Sequence, residues 1–172
     1  GGGVLTNGSF TMIDGTINNN SAVTSGGGVA VNSGGATAKF EFLGGTITEN
    51  NSKNGGGIWS SESVNSMIVV DGGKILKNTA TSGAGIEFNS SLSNEVQREY
   101  KGINYDAVSL VVDSQISENI ASLSGGGIRS DKSAGGVHYI LGGTITNNKA
   151  SSYGGGINVN NGSIIINADV EN

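Results

Sequence analysis

The amino-acid sequence predicts an all-β protein, a single-domain parallel β-helix (a β-solenoid) spanning residues 1–172. Three observations lead to this prediction: two short motifs recur in a fixed order, apolar residues alternate within each repeat, and Gly is abundant while Pro and Cys are absent. The chain has 172 residues, of which 31 are Gly, and a formal net charge of −5. Since the first motif recurs every 25 to 42 residues, each repeat is expected to form one coil of a solenoid.

The first motif is Gly-Gly-Gly or Gly-Ala-Gly followed by Val or Ile. It begins at Gly1, Gly26, Gly55, Gly83, Gly125 and Gly154. The second motif ends in Ile-x-x-Asn and places one Asn at the same point of each complete repeat. These asparagines are Asn20, Asn50, Asn78, Asn119 and Asn148. We predict that they stack in one turn of successive coils and hydrogen-bond to each other and to the turn backbone.

Within each repeat, apolar residues alternate with polar residues, which is typical of β-strands. One such segment follows the Gly triplet, a second precedes the Ile-x-x-Asn motif, and a third contains the motif Ile. The sequence therefore predicts about six coils of three short strands each, with like strands stacked in parallel at about 4.8 Å. The alternative all-β fold is a β-sandwich, which has hairpin turns every 8–12 residues or so and no exact recurrence at this period.

The fourth repeat is about 14 residues longer than its neighbours and carries an insertion at 89–107. Asn94 is a candidate N-cap and Gly102 a candidate helix terminator, so residues 94–102 are predicted to form a short helix. Tyr100 and Tyr105 flank its exit. Insertions in solenoids often lie on the binding face, so this segment is either a lid over apolar surface or a binding loop.

The outward positions of the second strand become apolar from the third coil onward. They contain Val69, Leu110, Tyr139 and Ile165. Because a strand that is apolar on both faces is usually buried on both, we expect this face to pack under the insertion or against a neighbouring domain.

The outward positions of the first strand contain Trp59, Glu87 and Arg129 on neighbouring coils. An exposed aromatic ring can stack on a sugar or a ligand plane, so these three residues, with Tyr100 and Tyr105, are the candidate ligand-binding residues. The alternative is that Trp59 packs on a neighbouring side chain while Glu87 and Arg129 form a weak surface ion pair.

No catalytic residue is assigned from the sequence. Enzymes that cleave polysaccharides need converging carboxylates, and Glu87 with Asp131 is the nearest approach to such a pair. His138 falls in an inward column, so we expect a buried neutral histidine that is bonded to Ser109 or to a backbone group. An enzyme is therefore not the favoured interpretation.

The composition excludes further classes of function. Without Cys, and with a single His, the chain has no thiolate metal site and no zinc site built on several histidines. Its nine basic and fourteen acidic residues disfavour nucleic-acid binding. No run of about 18 apolar residues predicts a membrane span, and the Gly triplets lack the Lys and Ser/Thr of a phosphate-binding loop. No metal and no cofactor are expected.

The segment 145–157, ITNNKASSYGGGI, resembles the repeat of the polymorphic outer membrane proteins, whose paired motifs are GGA[IVL] and FxxN. In this chain Ile replaces Phe in the second motif, and Gly replaces Ala in the first. The resemblance covers nearly all of the chain except the insertion. It implies a right-handed parallel β-helix from a bacterial surface or secreted protein of adhesin type.

From the resemblance we expect a non-catalytic protein that presents a recognition surface for a glycan or a host protein. The chain begins and ends within repeats, so residues 1–172 are expected to be part of a longer repeat protein with neighbouring domains. Two other functions stay open: a purely structural stalk or spacer, and a polysaccharide-active enzyme, either a lyase or a glycosidase.

Overall fold

The computed structural model describes residues 1–34, 37–62, 66–90, 97–100, 102–106, 109–131 and 136–166. In these residues the chain winds into a β-solenoid of four parallel sheets, A to D, and forms no helix. The solenoid prediction is therefore confirmed, and the β-sandwich alternative is wrong. Described residues include no helix long and apolar enough to cross a membrane.

The strands of each sheet come from successive repeats. Sheet A contains Val4–Thr6, Val29–Val31, Ile58–Ser60, Ile86–Phe88, Ile128–Ser130 and Ile157–Val159. Sheet B contains Ser9–Met12, Ala38–Phe42, Ser66–Asp71, Ser109–Val112, Val137–Ile140 and Ser163–Ile166. Sheet C contains Thr16–Asn18, Thr46–Thr48, Lys74–Leu76, Gln115–Ser117 and Thr144–Thr146. Sheet D contains Ser21–Ser25, Asn51–Asn54, Thr79–Ser82, Ile120–Ser124 and Lys149–Ala150. Five coils thus carry all four strands, and sheets A and B continue into a sixth.

Each coil therefore has four strands where the sequence pattern predicted three. The missed strand follows the stacked Asn and forms sheet D. Its inward positions hold small side chains such as Ser52, Ala80 and Ala121, which are buried. Because Ser and Ala contribute little to an apolar alternation, the period-two signal that identified the other strands is absent here.

Neighbouring strands pair in register, so equivalent residues of successive repeats stack in columns. In sheet C, Ile75 lies between Ile47 and Ile116. In sheet B, the Phe40 ring stacks on Phe10 with ring centroids 5.2 Å apart. The inward columns of sheets A, B and C form one continuous core in which Phe40, Ile47 and Ile75 are fully buried. This core supplies the hydrophobic stabilisation of the rod.

The predicted asparagine ladder is present in the structure. Asn78 Nδ2 donates to Asn119 Oδ1 and to the backbone carbonyl of Ile47, both at 3.0 Å. Asn78 Oδ1 accepts two bonds in turn, from the backbone N–H and from Nδ2 of Asn50, each at 3.0 Å. The same pattern joins Asn20 to Asn50 and Asn119 to Asn148. Side-chain amides therefore connect all five coils along one corner of the rod.

The Gly triplets let successive coils approach closely at the turn between sheets D and A. A Cβ atom at Gly56 would lie 2.5 Å from the backbone oxygen of Thr79 and 2.6 Å from that of Ala84. A side chain at such distances requires the neighbouring backbone to shift, so Gly is favoured at this point of the turn, although Ala84 occupies the equivalent position in the next coil.

The helix predicted in the insertion is wrong in its described part. Gln97–Tyr100 and Ile103–Asp106 form an antiparallel hairpin, in which Tyr100 pairs with Ile103. Gly102 lies in the connection with a φ of 77°. A Gly of this conformation ends a helix or makes a tight turn equally well, and the aromatic and branched residues beside it favour strands. Residues 94–96 and 101 of the predicted helix lie outside the described residues.

The apolar outward face of sheet B is covered in the middle of the rod and opens toward its last strand. Val69 and Tyr139 are half-buried, while Met67 and Val112, which alternation also places outward, are 7% and 4% exposed. Ile165 is 39% exposed. The side chain of Leu110 is outside the described residues. The prediction that the insertion or a neighbouring domain covers this face stays a prediction.

Candidate functional site

The three residues predicted on the outer face of sheet A do form one column. Glu87 is in register with Trp59 on one side and with Arg129 on the other. Their exposure differs from the prediction: Trp59 is half-buried and Glu87 is only 2% exposed. The indole of Trp59 is therefore only partly available for stacking on a ligand.

The glycine turns explain part of this burial. In the four middle coils the outward side chain of sheet A, which is Ala30, Trp59, Glu87 or Arg129, packs against the first Gly of the preceding triplet, and this Gly has a positive φ. A Cβ atom at Gly83 would lie 2.5 Å from Glu87 Cβ, and a Cβ atom at Gly125 would lie 2.6 Å from Arg129 Cβ. A side chain at an outward position of sheet A can therefore be buried. The alternation of polar and apolar residues alone does not reveal this.

Arg129 connects two carboxylates. Its Nη1 lies 2.7 Å from Glu87 Oε1, and its Nη2 lies 2.7 Å from Asp131 Oδ2. Asn160 Nδ2 donates to Asp131 Oδ1 at 2.7 Å. The predicted ion pair between Glu87 and Arg129 is thus present, but it is largely buried and not at the surface, and its guanidinium also holds Asp131.

Burial raises the pKa of Glu87 to about 7, and the charge of Asp131 acts in the same direction. The charge and hydrogen bond of Arg129 oppose this rise. Glu87 Oε2 and Arg129 Nε have no hydrogen-bond partner among the described residues. A carboxyl with a pKa near 7 suits acid–base chemistry, but its 2% exposure leaves no path for a substrate, so the cluster is better suited to a structural role.

His138 is 1% exposed and stacks on Phe88, with ring centroids 4.3 Å apart. Burial lowers the pKa of its imidazole to about 3, which supports the expected neutral histidine. Within the described part of the chain its Nδ1 has no hydrogen-bond partner. Ser109 Oγ instead accepts the backbone N–H of Ile68 at 3.4 Å. The imidazole is therefore a core side chain that packs against Phe88.

Tyr100 and Tyr105, the other two candidate binding residues, lie on opposite strands of the hairpin. Their side chains are outside the described residues, so their candidacy stays a prediction.

The residues that sequence reasoning missed lie on the outer face of sheet D. A shallow groove of about 500 Å³ runs across its first four strands, and a second of about 490 Å³ adjoins it at Ile120 and continues toward Lys149. One outward column crosses all five strands. It contains Ser21, Asn51, Thr79, Ile120 and Lys149. All five of these side chains are exposed.

Two lysines of this face carry free charge. Lys53 and Lys149 are exposed, and neither has an ion pair within the described residues. A third, Lys77, lies 3.9 Å from Glu118 at the edge of the second groove. The groove lining therefore bears three Lys and one Glu, a positive surface on a chain whose formal net charge is −5. The sequence does contain Lys residues in or beside the second motif. They indicate a charged surface only once the segment after the stacked Asn is recognised as a strand of sheet D.

The described residues include no group of three or more His, Asp or Glu side chains that could hold a metal ion. Comparison of the chain with protein-family models, curated proteins and solved structures finds no match in any of the three. Its function is therefore argued from its own geometry.

Proposed function

We propose that this chain is a non-catalytic, adhesin-type β-solenoid that presents a recognition surface for a glycan or a host protein. The observation that carries the proposal is the outer face of sheet D. It is an exposed strip of hydroxyl, amide, ammonium and aliphatic groups, which offers hydrogen bonds, charge and apolar contact together. Small polar ligands such as sugars are recognised by this combination.

The rest of the molecule supports the display of such a strip. The asparagine ladder and the continuous core hold the strands in fixed register, so the side chains of sheet D keep their spacing without a ligand. Preorganisation of this kind lowers the entropic cost of binding. The resemblance of the repeat motifs to those of polymorphic outer membrane proteins agrees with a bacterial surface or secreted protein, and with a right-handed solenoid.

A structural stalk is the second candidate. The ladder of buried amides favours it, since each coil is joined to the next by side-chain and backbone hydrogen bonds. A stalk would need no recognition surface and predicts no ligand. A polysaccharide-active enzyme is less favoured because Glu87, the carboxyl with the raised pKa, is buried.

The test is a binding screen of the purified chain against arrayed glycans, mucins and host matrix proteins, with a parallel assay for released reducing ends. Binding without product release is expected. Product release would favour the enzyme, and the absence of any binding would favour the stalk.

A variant that lacks 93–106 separates the two candidate surfaces. Because none of the described residues of the insertion lines the grooves of sheet D, this variant is expected to keep the binding of the full chain. Loss of binding by a deletion variant with an unchanged circular dichroism spectrum would place recognition on the hairpin.

A further inference from the structure

The outer face of sheet D is a straight, periodic surface. Asn51, Thr79 and Ile120 follow one another on adjacent strands, with about 4.8 Å between strands. Lys149 continues this column on the fifth strand. Lys53 lies two residues beyond Asn51, in the next outward column. The two free lysines are thus separated by three strand spacings along the rod, about 14 Å, and by one two-residue step across it.

Between the two lysines the surface is neutral and able to form hydrogen bonds. Asn51 Nδ2 donates to Thr79 Oγ1 at 2.8 Å, which leaves the Thr79 hydroxyl proton and the Asn51 amide oxygen directed to other partners. Ser122 adds a further exposed hydroxyl to the groove. Ile120 is 50% exposed and offers an aliphatic platform where the two grooves meet.

We infer that sheet D binds a linear, carboxylated glycan, which lies along the rod with carboxylates at Lys53 and Lys149. The hydroxyls and amides between the lysines match the hydroxyls of the sugar rings, and Ile120 matches their C–H faces. This inference rests on the proposed recognition function and names its ligand class. The positive groove on an acidic chain provides the charge complementarity that steers such a polyanion to this face.

A neutral glycan would gain nothing from the two lysines, whose ammonium groups carry no partner in the described chain. A single-stranded nucleic acid, which is also a linear polyanion, would need aromatic platforms for its bases. None of the described residues in the two groove linings is aromatic. The remaining competitor is an acidic peptide, which is included in the test.

The test is calorimetric titration of the chain with a hyaluronan hexasaccharide and with the same hexasaccharide after reduction of its carboxylates to alcohols. A double variant, Lys53→Gln with Lys149→Gln, removes both free charges. The matched control, Lys39→Gln with Lys74→Gln, lowers the net charge equally at positions outside the two grooves. Poly-glutamate of similar length is the peptide competitor, and melting temperatures verify folding of both variants.

Binding of the hexasaccharide is expected to weaken about tenfold in the groove variant and less than about twofold in the control. It is also expected to weaken as salt rises. The inference is overturned if the reduced hexasaccharide binds equally well, if the groove variant binds like the control, or if poly-glutamate binds more tightly. In those cases the proposed function still stands if other glycans or host proteins bind in the array screen. If nothing binds in either experiment, both proposals fail.

Discussion

Glu87 and Arg129 form an ion pair across neighbouring coils in which only half of the bonding capacity of the carboxyl is used. Arg129 Nη1 lies 2.7 Å from Glu87 Oε1, whereas Glu87 Oε2 has no hydrogen-bond partner in the described residues. The same guanidinium is shared with Asp131. Burial is the main cause of the raised pKa of Glu87, because it disfavours the charged carboxylate, and the nearby charge of Asp131 adds to this effect.

This relationship predicts a loss of stability as the pH rises. The pKa of Glu87 is raised from 4.5 to about 7, so the folded protein binds this proton more tightly than the unfolded chain does. The resulting stabilisation is fully present below pH 4.5 and is lost as the pH rises through about 7. The difference in urea midpoint between the native chain and Glu87→Gln should therefore shift in favour of the variant as the pH rises from 4.5 to 7.

Glu41→Gln is a control in which the expected change of stability with pH has the opposite sign. The hydrogen bond from Lys39 lowers the pKa of Glu41, so this carboxylate contributes stability above pH 4.5 that is lost as the pH falls. The contribution is small because the group is largely solvated. A Glu87→Gln profile parallel to that of the native chain would show that burial does not perturb this carboxyl.

The burial of His138 predicts that stability also changes at acid pH. Burial lowers the pKa of its imidazole from 6.5 to about 3, so the unfolded chain binds the proton more tightly. Its contribution to stability is fully present above pH 6.5 and is lost as the pH falls toward 3. His138→Phe keeps a planar ring against Phe88 and cannot titrate. The stability difference between variant and native chain should shift toward the variant as the pH falls below 6.5.

The two groups act in opposite directions between pH 4.5 and 6.5, so their effects on stability largely cancel in the native chain. In this range Glu87→Gln alone should gain stability as the pH rises and His138→Phe alone should lose it, whereas the native chain and the double variant Glu87→Gln with His138→Phe should both have flatter profiles. An acid limb that stays unchanged in His138→Phe would mean that other groups dominate acid unfolding.

The asparagine ladder predicts a large loss of folding stability when a ladder Asn is replaced by the nearly isosteric Asp. Asn78 is fully buried and uses its Nδ2 as a double donor. In Asn78→Asp an acceptor faces the acceptors Ile47 O and Asn119 Oδ1, and a buried charge has no counter-ion. We expect a loss of about 3–5 kcal/mol at pH 7, the range for an uncompensated buried charge. The measurement is the urea midpoint, monitored by fluorescence of Trp59, the single tryptophan.

Acid should partly restore the Asn78→Asp protein relative to the native chain at the same pH, because a protonated carboxyl again provides one donor. Asn147→Asp is the control, since this neighbouring side chain is exposed and a surface change of this kind is usually within about 0.5 kcal/mol. Equal losses in the two variants would show that the ladder hydrogen bonds do not determine the stability of this corner.

The ladder was predictable because its two requirements are both local: an Asn at one point of each repeat, and a repeat of nearly constant length. The same holds for the column of Ile47, Ile75 and Ile116, whose alternation identifies a strand. Sheet D was not predictable in this way, because Ala80 and Ala121 leave no apolar contrast. The burial of Glu87 depends on a contact with Gly83 across a turn. The hairpin at Gly102 depends on whether this Gly ends a helix or makes a tight turn. Neither is encoded in a periodic pattern.

Substitutions to Ala at Gly56 and at Gly8 test the close approach of the coils directly. In Gly56→Ala the new methyl group would meet two backbone oxygens of the neighbouring coil, at 2.5 and 2.6 Å. Since this paired backbone must shift to admit the methyl group, we expect a loss of about 1–3 kcal/mol, as for overpacked interiors, although the next coil accommodates Ala84 at the equivalent position. A Cβ atom at Gly8 meets nothing within 4 Å. Gly8→Ala should therefore be neutral or gain up to about 1 kcal/mol of stability, because Ala restricts the unfolded chain.

Thermal unfolding of the two variants is the measurement, and a 1 kcal/mol change corresponds to about 2–4 °C for a chain of this size. If Gly56→Ala melts with the native chain while Gly8→Ala behaves as expected, the coils are farther apart at this turn than the structure places them. The Gly triplets would then be required for some property other than close packing.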